Sequence, residues 1–305
     1  MSTDSPHNQL KINILLSTFN GDKFVLEQLQ SLYMQTCKGI KIYVRDDGST
    51  DQTLQILKRE ADLKKITLIE GQNIGVISSY FELLKHSKDA DFIAFCDQDD
   101  IWLPGKVSSA ISSLSKIQGP ALYCSSLSLV DQNLSPLFKF EYDDHVGFER
   151  SLFTNCATGC TCVINSELLI HLDKNPNINK IIMHDWWLYI LASALGTVVY
   201  DSNSHILYRQ HGQNQIGLKH FLGTFIQKSK LFFNQRPMPN RFSQMAEFLS
   251  MYGNKLSDDK KVYLETLLVW ESNIISRFFI AFNLRPKRKS FIKNISSFIF
   301  VVLGH

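Results

Sequence analysis

Apolar residues in the first hundred positions alternate between short continuous runs and stretches with helical spacing. Runs bounded by polar or glycine-containing turns predict four strands, at Lys11–Ser17, Lys41–Arg45, Ile66–Glu70 and Asp91–Cys96. Helical spacing between the first two strands is marked by Val25, Leu29 and Leu32. Strands that alternate with helices are typical of βαβ units, so we expect a mostly parallel sheet with helices on both faces.

The pattern becomes looser from about Ser151. It predicts, in order, a strand at Thr158–Val163, a short capped helix at Ser166–Asp173, a longer helix at His184–Leu195, and two short strands at Val198–Tyr200 and His205–Tyr208. Beyond Gly217 we expect helices, whose apolar faces are formed by Phe242, Met245, Leu249 and Tyr252 and by Leu267, Trp270, Ile274 and Phe278. The chain therefore combines an α/β region with a helical carboxyl-terminal extension.

The composition is that of a globular chain with a balanced charge. Of its 305 residues 44% are hydrophobic, and the net charge of +3 comes without a long basic block, so we expect no nucleic-acid partner. Six cysteines form no Cys-x-x-Cys pair, which favours buried free thiols over a zinc site. The first ten residues lack the features of a secretory signal, so we expect a cytoplasmic protein.

Polar clusters follow three of the predicted strands. They are Ser17–Gly21 after the first, Asp46–Asp51 after the second and Asp97–Asp100 after the fourth. Ligands of open parallel sheets bind beyond the carboxyl ends of the strands. We therefore expect the three clusters to meet at one edge of the sheet.

The Asp97–Asp100 cluster has two interpretations. Asp97 and Asp99 lie on the same side of an extended segment, where two carboxylates bind a hard divalent cation together with the phosphates of a nucleotide. Alternatively, Asp99 or Asp100 caps a helix opened by Pro104. The residues alone leave both interpretations open.

The Asp46–Asp51 cluster is equally consistent with a turn followed by a helix cap, because Asp, Gly and Ser are common turn residues. Its position at a strand end suggests a second role. The Asp47 carboxylate accepts a hydrogen bond from a pyrimidine N–H in this interpretation, and Thr18, at the neighbouring strand end, contacts the same base. Nucleotide binding would account for both clusters.

Two further groups lie in the second half of the chain. Asp185 begins a predicted helix beside His184, Trp186 and Trp187, where a carboxylate can act as a general base and aromatic rings can wall a sugar site. A helix cap with core tryptophans is the alternative. Arg209 and His211 offer a phosphate ligand and a metal ligand, although a single histidine is more often a packed residue.

Taken together, these motifs resemble family 2 glycosyltransferases of the GT-A fold. The resemblance runs from about Asn13 to about Gly217 and rests on four motifs in the family's order: Thr18–Gly21, Asp46–Asp51, Asp97–Trp102 and His184–Trp186. It implies a Rossmann-like, mostly parallel central sheet flanked by helices. It also implies transfer of a sugar from a nucleotide diphosphate donor to a glycan hydroxyl.

The resemblance assigns roles to individual residues. Thr18, Asn20 and Asp47 would hold the donor base and Asp97 its ribose, while Asp99, with His211 as a further contact, would bind Mg²⁺ or Mn²⁺. Asp185 would be the catalytic base of an inverting displacement. The sugar and acceptor pocket would include Gly159, His184, Trp186, Trp187 and Arg209.

Three stretches are most similar to the rhamnosyltransferase-like branch that builds bacterial surface polysaccharides. They are Thr158–Thr161, His184–Trp187 and Tyr208–Asn214. By this resemblance the donor would be a UDP- or dTDP-sugar, with dTDP-rhamnose as one candidate, and the acceptor a glycan or lipid-linked glycan. Many relatives have Glu-Asp where this chain has His184-Asp185. That departure leaves the base in place and predicts an acceptor pocket that differs from theirs.

We therefore expect a catalytic domain at residues 10–217, with a donor-nucleotide half at about 10–125 and an acceptor half at about 126–217. The extension at 218–305 ends in a basic cluster, Arg285–Lys289, followed by an apolar stretch to Leu303. Residues 285–303 would contact an anionic membrane surface peripherally or pack as an amphipathic helix on the domain. The apolar run is shorter than the roughly 18 residues of a spanning helix.

Other protein classes fit the sequence less well. A sugar nucleotidyltransferase needs a basic, glycine-rich loop after the first strand, and Ser17–Asp22 contains one glycine and no cation. A dehydrogenase needs Gly-x-Gly-x-x-Gly there, which is missing. A binding module of the same fold would not need Asp185.

Overall fold

A single sheet organises the part of the chain that the computed structural model describes, residues 10–142, 146–172, 176–211, 239–270 and 274–281. Within these residues nine strands are present: β1 (Ile12–Thr18), β2 (Ile40–Asp46), β3 (Thr67–Glu70), β4 (Phe92–Cys96), β5 (Ile101–Trp102), β6 (Ala121–Val130), β7 (Pro136–Phe140), β8 (Val163–Asn165) and β9 (Thr197–Arg209). The sheet order is β3-β2-β1-β4-β8-β6-β9-β5, with β7 paired to β6.

Helices connect the strands and extend beyond them. Those in the described residues are α1 (Val25–Tyr33), α2 (Thr53–Asp62), α3 (Val76–Leu84), α4 (Lys106–Leu114), α5 (Phe148–Ser151), α6 (Ser166–Ile170), α7 (His184–Leu195), α8 (Arg241–Tyr252), α9 (Asp258–Trp270) and α10 (Ile274–Phe279). None of the helices in these ranges is both long and apolar enough to span a lipid bilayer.

Four adjacent strands, β1 to β4, run parallel. β1 pairs with both β2 and β4, and β2 pairs with β3, so their carboxyl ends meet at one edge of the sheet. The predicted bounds of these strands agree with the structure to within one residue. The remaining part of the sheet is mixed, because β8 is antiparallel to β4 and β6 whereas β6 and β9 are parallel.

Side chains of opposite parity along β1 enter two separate cores. Ile14 and Leu16 pack with α1, α2 and α4 on one face of the sheet. Leu15 packs on the other face with α3, α7 and α8. This alternation follows from the pleat of a strand and confirms the expectation of helices on both faces.

The strand predicted at Thr158–Val163 is wrong for most of its length. Gly159–Thr161 forms a 3₁₀ turn, in which the N–H groups of Thr161 and Cys162 donate to the carbonyls of Thr158 and Gly159. The strand begins only at Val163, and its last residue, Asn165, caps α6 by accepting from the N–H of Leu168. The apolar content of this stretch reflects burial of the turn rather than strand pairing.

The two short strands predicted at Val198–Tyr200 and His205–Tyr208 are one strand, β9. Their polar connection stays in the sheet because β9 pairs with β6 along nearly its whole length, with register shifts near Ser125 and Ser126. Strands β5, β6 and β7 were not predicted. α7 has the predicted bounds.

In the carboxyl-terminal extension α8 buries Phe242, Met245 and Tyr252. On the second predicted face Leu267 is buried, whereas Phe278 is exposed. Residues 285–303, where peripheral membrane contact was expected, lie outside the described residues. All six cysteines are free, as predicted.

Gly196 lets the chain leave α7 and enter β9 beside the backbone of Pro120. A Cβ at this position would be 1.9 Å from the Pro120 carbonyl oxygen, and that backbone is held because the carbonyl accepts from the N–H of Thr197. We expect Gly196→Ala to reduce the free energy of unfolding by about 3 kcal/mol in a denaturant titration. Gly105→Ala, which meets nothing nearer than 4.0 Å, serves as the control. Equal losses in both variants would contradict this account.

Candidate active site

A cavity of about 520 Å³ opens at the carboxyl edge of the parallel strands. Residues after β1, β2 and β4 form one wall, and the start of α7 with the 3₁₀ turn forms another. Eight predicted site residues line it: Asn20, Asp47, Asp97, Asp99, Gly159, His184, Asp185 and His211. The structure therefore brings both halves of the predicted site together.

Asp46 is not among the residues that line this cavity, and its carboxylate organises the turn after β2. Its carboxylate accepts from the N–H and hydroxyl of Ser49, at 2.9 and 2.6 Å, and from the Thr18 hydroxyl at 3.1 Å. The turn interpretation therefore holds for Asp46. Thr18, which was predicted to contact the donor base, is 1% exposed and is not among the residues that line the cavity.

Asp47, the next residue, lines the cavity although it is 2% exposed. Its Oδ1 forms an ion pair with Arg45 and accepts from the N–H of Ile74, and its Oδ2 accepts from the N–H of Gly75 at 2.9 Å. A carboxylate has about four acceptor sites, so one acceptor site remains, on Oδ2. The arrangement also holds the loop before α3, against which Gly48 packs with a left-handed φ of 78°.

Asp97 follows β4 and is held by Tyr80. The Tyr80 hydroxyl bonds to the Cys96 carbonyl at 2.7 Å and to Asp97 Oδ1 at 3.0 Å. Burial, together with the nearby charge of Asp99, raises the pKa of Asp97 to about 6, although the Tyr80 hydrogen bond opposes the shift. The ionised form of this carboxylate would therefore be stabilised by a ligand that donates a hydrogen bond to it or places a positive charge beside it.

Asp99 and His211 meet on the cavity wall. The His211 Nε2 atom lies 2.8 Å from Asp99 Oδ2, and the Phe24 ring packs against the imidazole with 4.8 Å between centroids. A carboxylate oxygen is a ligand that suits Mg²⁺ and Mn²⁺, and an imidazole nitrogen is a common ligand of divalent transition metals. The residues predicted as metal ligands from opposite ends of the domain therefore fit that role.

A second group of potential ligand atoms lies deeper. Atoms of Asp97, Asp100 and Cys160 lie within 4.8 Å of one another. Asp100 and Cys160 are fully buried, and Asp100 accepts from the N–H of Arg209 at 3.1 Å. A thiol suits neither Mg²⁺ nor Mn²⁺.

The alternative interpretation, in which Asp99 or Asp100 caps a helix opened by Pro104, is wrong, because α4 begins at Lys106 with Gly105 as its N-cap.

Asp185 stands in the first turn of α7 and is 4% exposed. Burial raises the pKa of Asp185 to about 7, against the opposing effect of a 2.6 Å hydrogen bond from the Trp186 N–H. Gly159 lies close by, since a Cβ there would be 3.5 Å from Asp185 Oδ2. The site thus holds a carboxylate with a pKa suited to general base chemistry near neutral pH.

The two tryptophans predicted for the sugar pocket lie outside the cavity. Trp187 is fully buried and packs on Phe248 of α8, 5.5 Å between ring centroids. Trp186 donates its indole N–H to the Ser151 carbonyl. Neither tryptophan is among the residues that line the cavity.

Arg209 is also not among the residues that line the cavity. It is 2% exposed, and its guanidinium donates to the carbonyls of Asp99 and Gln132 and to the Glu27 carboxylate. The residue therefore fixes the backbone of the Asp99 segment. These partners could not be identified from the sequence around Arg209, because they lie far from it along the chain.

Sequence reasoning missed several residues of the site. Arg45 and Tyr80 hold the two cavity carboxylates Asp47 and Asp97, and Lys23, Phe24 and Asn73 line the cavity. The basic residue one position before the paired aspartates was a usable signal for Arg45. Tyr80 had no such signal, because it is one of several apolar and aromatic residues on the buried face of α3.

Comparison with known proteins gives a consistent result. The family described as glycosyl transferase family 2 matches residues 13–141. The dTDP-rhamnosyl transferase RfbG of Shigella flexneri is 33% identical over 224 residues, which cover 66% of this chain and 73% of that protein. The Escherichia coli UDP-Glc:alpha-D-GlcNAc-diphosphoundecaprenol beta-1,3-glucosyltransferase WfgD is 25% identical over 179 residues, covering 59% of this chain and 68% of that protein.

The fold has a solved counterpart. Residues 1–349 of S. aureus TarS, crystallised in complex with UDP-GlcNAc, superpose with a TM-score of 0.59 at 17% sequence identity. The superposition covers 96% of this chain and 82% of that structure. At this identity the likeness concerns the fold.

The raised pKa of Asp185 predicts a pH-dependent stability difference. The unfolded chain loses this proton near pH 4 and the folded protein near pH 7, so the native carboxyl costs stability progressively as pH rises between these values. We expect Asp185→Asn to be more stable than the native protein at pH 8, by on the order of 3 kcal/mol, and the difference to shrink towards pH 4.

The stability difference is measured by thermal unfolding of the native protein and of Asp185→Asn between pH 4 and pH 8. Asp131→Asn is a control of opposite sign, because backbone N–H groups lower the pKa of the Asp131 carboxyl. A stability difference for Asp185→Asn that does not change with pH would show that Asp185 is not buried as a titrating carboxyl.

Proposed function

This chain belongs to glycosyl transferase family 2, and we propose that it transfers a sugar from a UDP- or dTDP-linked donor to a glycan hydroxyl with inversion at the anomeric carbon. It is a glycosyltransferase with the GT-A fold that the sequence predicted. The observation that supports the proposal best is the convergence of Asp47, Asp97, Asp99 and Asp185 on one cavity.

The donor nucleotide would occupy the wall formed by the ends of β1, β2 and β4. The remaining Oδ2 acceptor site of Asp47 suits the ring N–H of a uracil or thymine, with Asn20 at the same wall, and the Asp97 carboxylate suits a ribose hydroxyl. The names of the two relatives contain dTDP-rhamnosyl and UDP-Glc, which supports a pyrimidine nucleotide. By the 33% identity to RfbG we propose dTDP-rhamnose as the first donor to test.

Asp99 and His211 would hold Mn²⁺ or Mg²⁺ at the diphosphate. The bound cation supplies positive charge that stabilises the departing nucleotide diphosphate. Asp99 would contribute a carboxylate oxygen and His211 a ring nitrogen, two atoms that lie 2.8 Å apart. Asp97, whose pKa is raised partly by Asp99, would be ionised more readily near a cation.

Asp185 would act as the base in a single displacement. The acceptor oxygen bonds to the anomeric carbon as the bond to the diphosphate oxygen breaks, and the acceptor proton passes to the Asp185 carboxylate. Its position, close to the 3₁₀ turn and opposite the donor strands, leaves the cavity between base and nucleotide for the two sugars.

The division of labour follows the chain. We propose that residues 10–125 form the donor-nucleotide half and residues 126–217 most of the acceptor half, because Asn20, Asp47, Asp97 and Asp99 come from the first and Asp185 from the second. The acceptor is proposed to be a growing surface polysaccharide or its lipid-linked precursor. The diphosphoundecaprenol substrate in the name of the WfgD relative supports this class.

Loss of the proposed base should abolish transfer while sparing donor binding. We expect Asp185→Asn to lower kcat by at least 100-fold with an unchanged Kd for the nucleotide, since the asparagine amide cannot take the acceptor proton. In the native enzyme kcat/KM should rise with pH through about 7, because the base works only when ionised. Steady-state transfer from dTDP- and UDP-sugars to a lipid-linked acceptor measures both.

Loss of donor binding in Asp185→Asn would assign this residue to the nucleotide site instead. Native-like turnover in Asp185→Asn would remove Asp185 from the chemistry. Release of pyrophosphate from a nucleoside triphosphate and a sugar phosphate would favour a nucleotidyltransferase over the proposed activity.

The proposed metal ligands predict a cation-dependent stabilisation by the donor. We expect UDP- or dTDP-sugars to raise Tm more with Mn²⁺ than without it, because ligand bound to the native state stabilises it in proportion to RT ln(1 + [L]/Kd). Asp99→Ala should lose the Mn²⁺-dependent part. Asp91→Ala, a change at the opposite end of β4, is the control and should keep it. Equal Mn²⁺ effects in Asp99→Ala and the native protein would exclude Asp99 as a ligand.

A further inference from the structure

The His184 imidazole lines the cavity with both ring nitrogens unsatisfied. The residue is 5% exposed, and neither Nδ1 nor Nε2 has a hydrogen-bond partner among the described residues. The carboxylates around it differ in this respect, because Asp47, Asp97 and Asp185 each accept at least one hydrogen bond from the protein. Buried polar atoms are nearly always paired, so an unpaired ring on a cavity wall indicates a missing partner.

Packing holds the ring in place. The imidazole stacks on Tyr80 with 4.0 Å between ring centroids and an interplanar angle of 28°, and Phe95 lies 5.9 Å away. Tyr80 is itself anchored through its hydroxyl to the Cys96 carbonyl. The ring is therefore presented to the cavity in a defined orientation.

Gly159 faces the edge of this ring. A Cβ at Gly159 would lie 3.2 Å from His184 Nε2, tighter than ordinary contact, and 3.5 Å from Asp185 Oδ2. The absence of a side chain keeps the space beside the imidazole and the proposed base open. His184 is thus adjacent to the position where the acceptor hydroxyl must meet Asp185.

The chemistry of the ring limits what it binds. Burial lowers the pKa of His184 to about 3, so the imidazole is neutral at physiological pH. A neutral imidazole has one N–H donor and one acceptor nitrogen, which matches a hydroxyl group, itself both donor and acceptor. It offers no positive charge to a phosphate group.

We propose that His184 binds a sugar hydroxyl at the reacting end of the cavity and so determines which sugars are used. The proposal rests on the proposed function. The hydroxyl belongs either to the sugar being transferred or to the acceptor, and these two sources are separated by measuring each substrate's KM.

The test compares three substitutions. His184→Phe keeps a planar ring on Tyr80 but removes both nitrogens, while His184→Asn and His184→Gln place an amide near the positions of Nδ1 and Nε2, respectively. We expect His184→Phe to raise the KM of one substrate about 10-fold or more without lowering Tm, because an unpaired substrate hydroxyl is penalised in a buried site. One amide variant should recover most of this loss and thereby identify the nitrogen involved.

A raised donor KM assigns the hydroxyl to the transferred sugar, and a raised acceptor KM assigns it to the acceptor. If His184→Phe does not fold, His184→Asn and His184→Gln provide the test, and the proposal then requires that at least one of them raise the KM of a substrate. Native KM values for both substrates in every variant that folds would overturn the proposal and leave His184 as a packing residue. Failure of the proposed function is distinct, because the native protein itself would then show no transfer.

Discussion

The parallel pairing of β1 with both β2 and β4 is the constraint on which the site depends. It brings the ends of these strands to one edge, so Asp47 after β2 and Asp97 and Asp99 after β4 share a wall although about fifty residues separate them along the chain. The first turn of α7 adds Asp185 to the residues that line the same cavity. The arrangement of the site therefore depends on the pairing of β1 with β2 and with β4 and on the position of the first turn of α7.

Crowding of carboxylates at this edge has an electrostatic cost that the structure meets in different ways. Arg45 neutralises Asp47 within the protein, whereas Asp97 has only the Tyr80 hydroxyl and its pKa is raised. Asp185 is buried without a cationic partner in the described residues, and its pKa is raised further. Negative charge near Asp97 and Asp99 thus remains to be balanced by a ligand, which is why a cation accompanying an anionic donor fits this wall.

Much of the fold follows from the sequence because buried parallel strands are continuous apolar runs and α7 has a sharply bounded apolar pattern. Side-chain direction was harder to predict. Ser17 and Phe19 line the cavity, whereas the Thr18 side chain between them is buried. Side chains alternate in this way along a strand, but which of them face the cavity can be predicted only when the register of the strand is known. Trp187 and Arg209 were misplaced because their partners, Phe248 of α8 and Glu27 of α1, lie in distant segments.

The central claim is that base and donor face each other across one cavity, so that the acceptor displaces the nucleotide directly. The most direct measurement is the anomeric configuration of the product, determined by NMR from the one-bond C–H coupling at the new glycosidic linkage. The account predicts a configuration opposite to that of the sugar in its nucleotide donor. A product with retained configuration would require a different mechanism and would contradict the role given to Asp185.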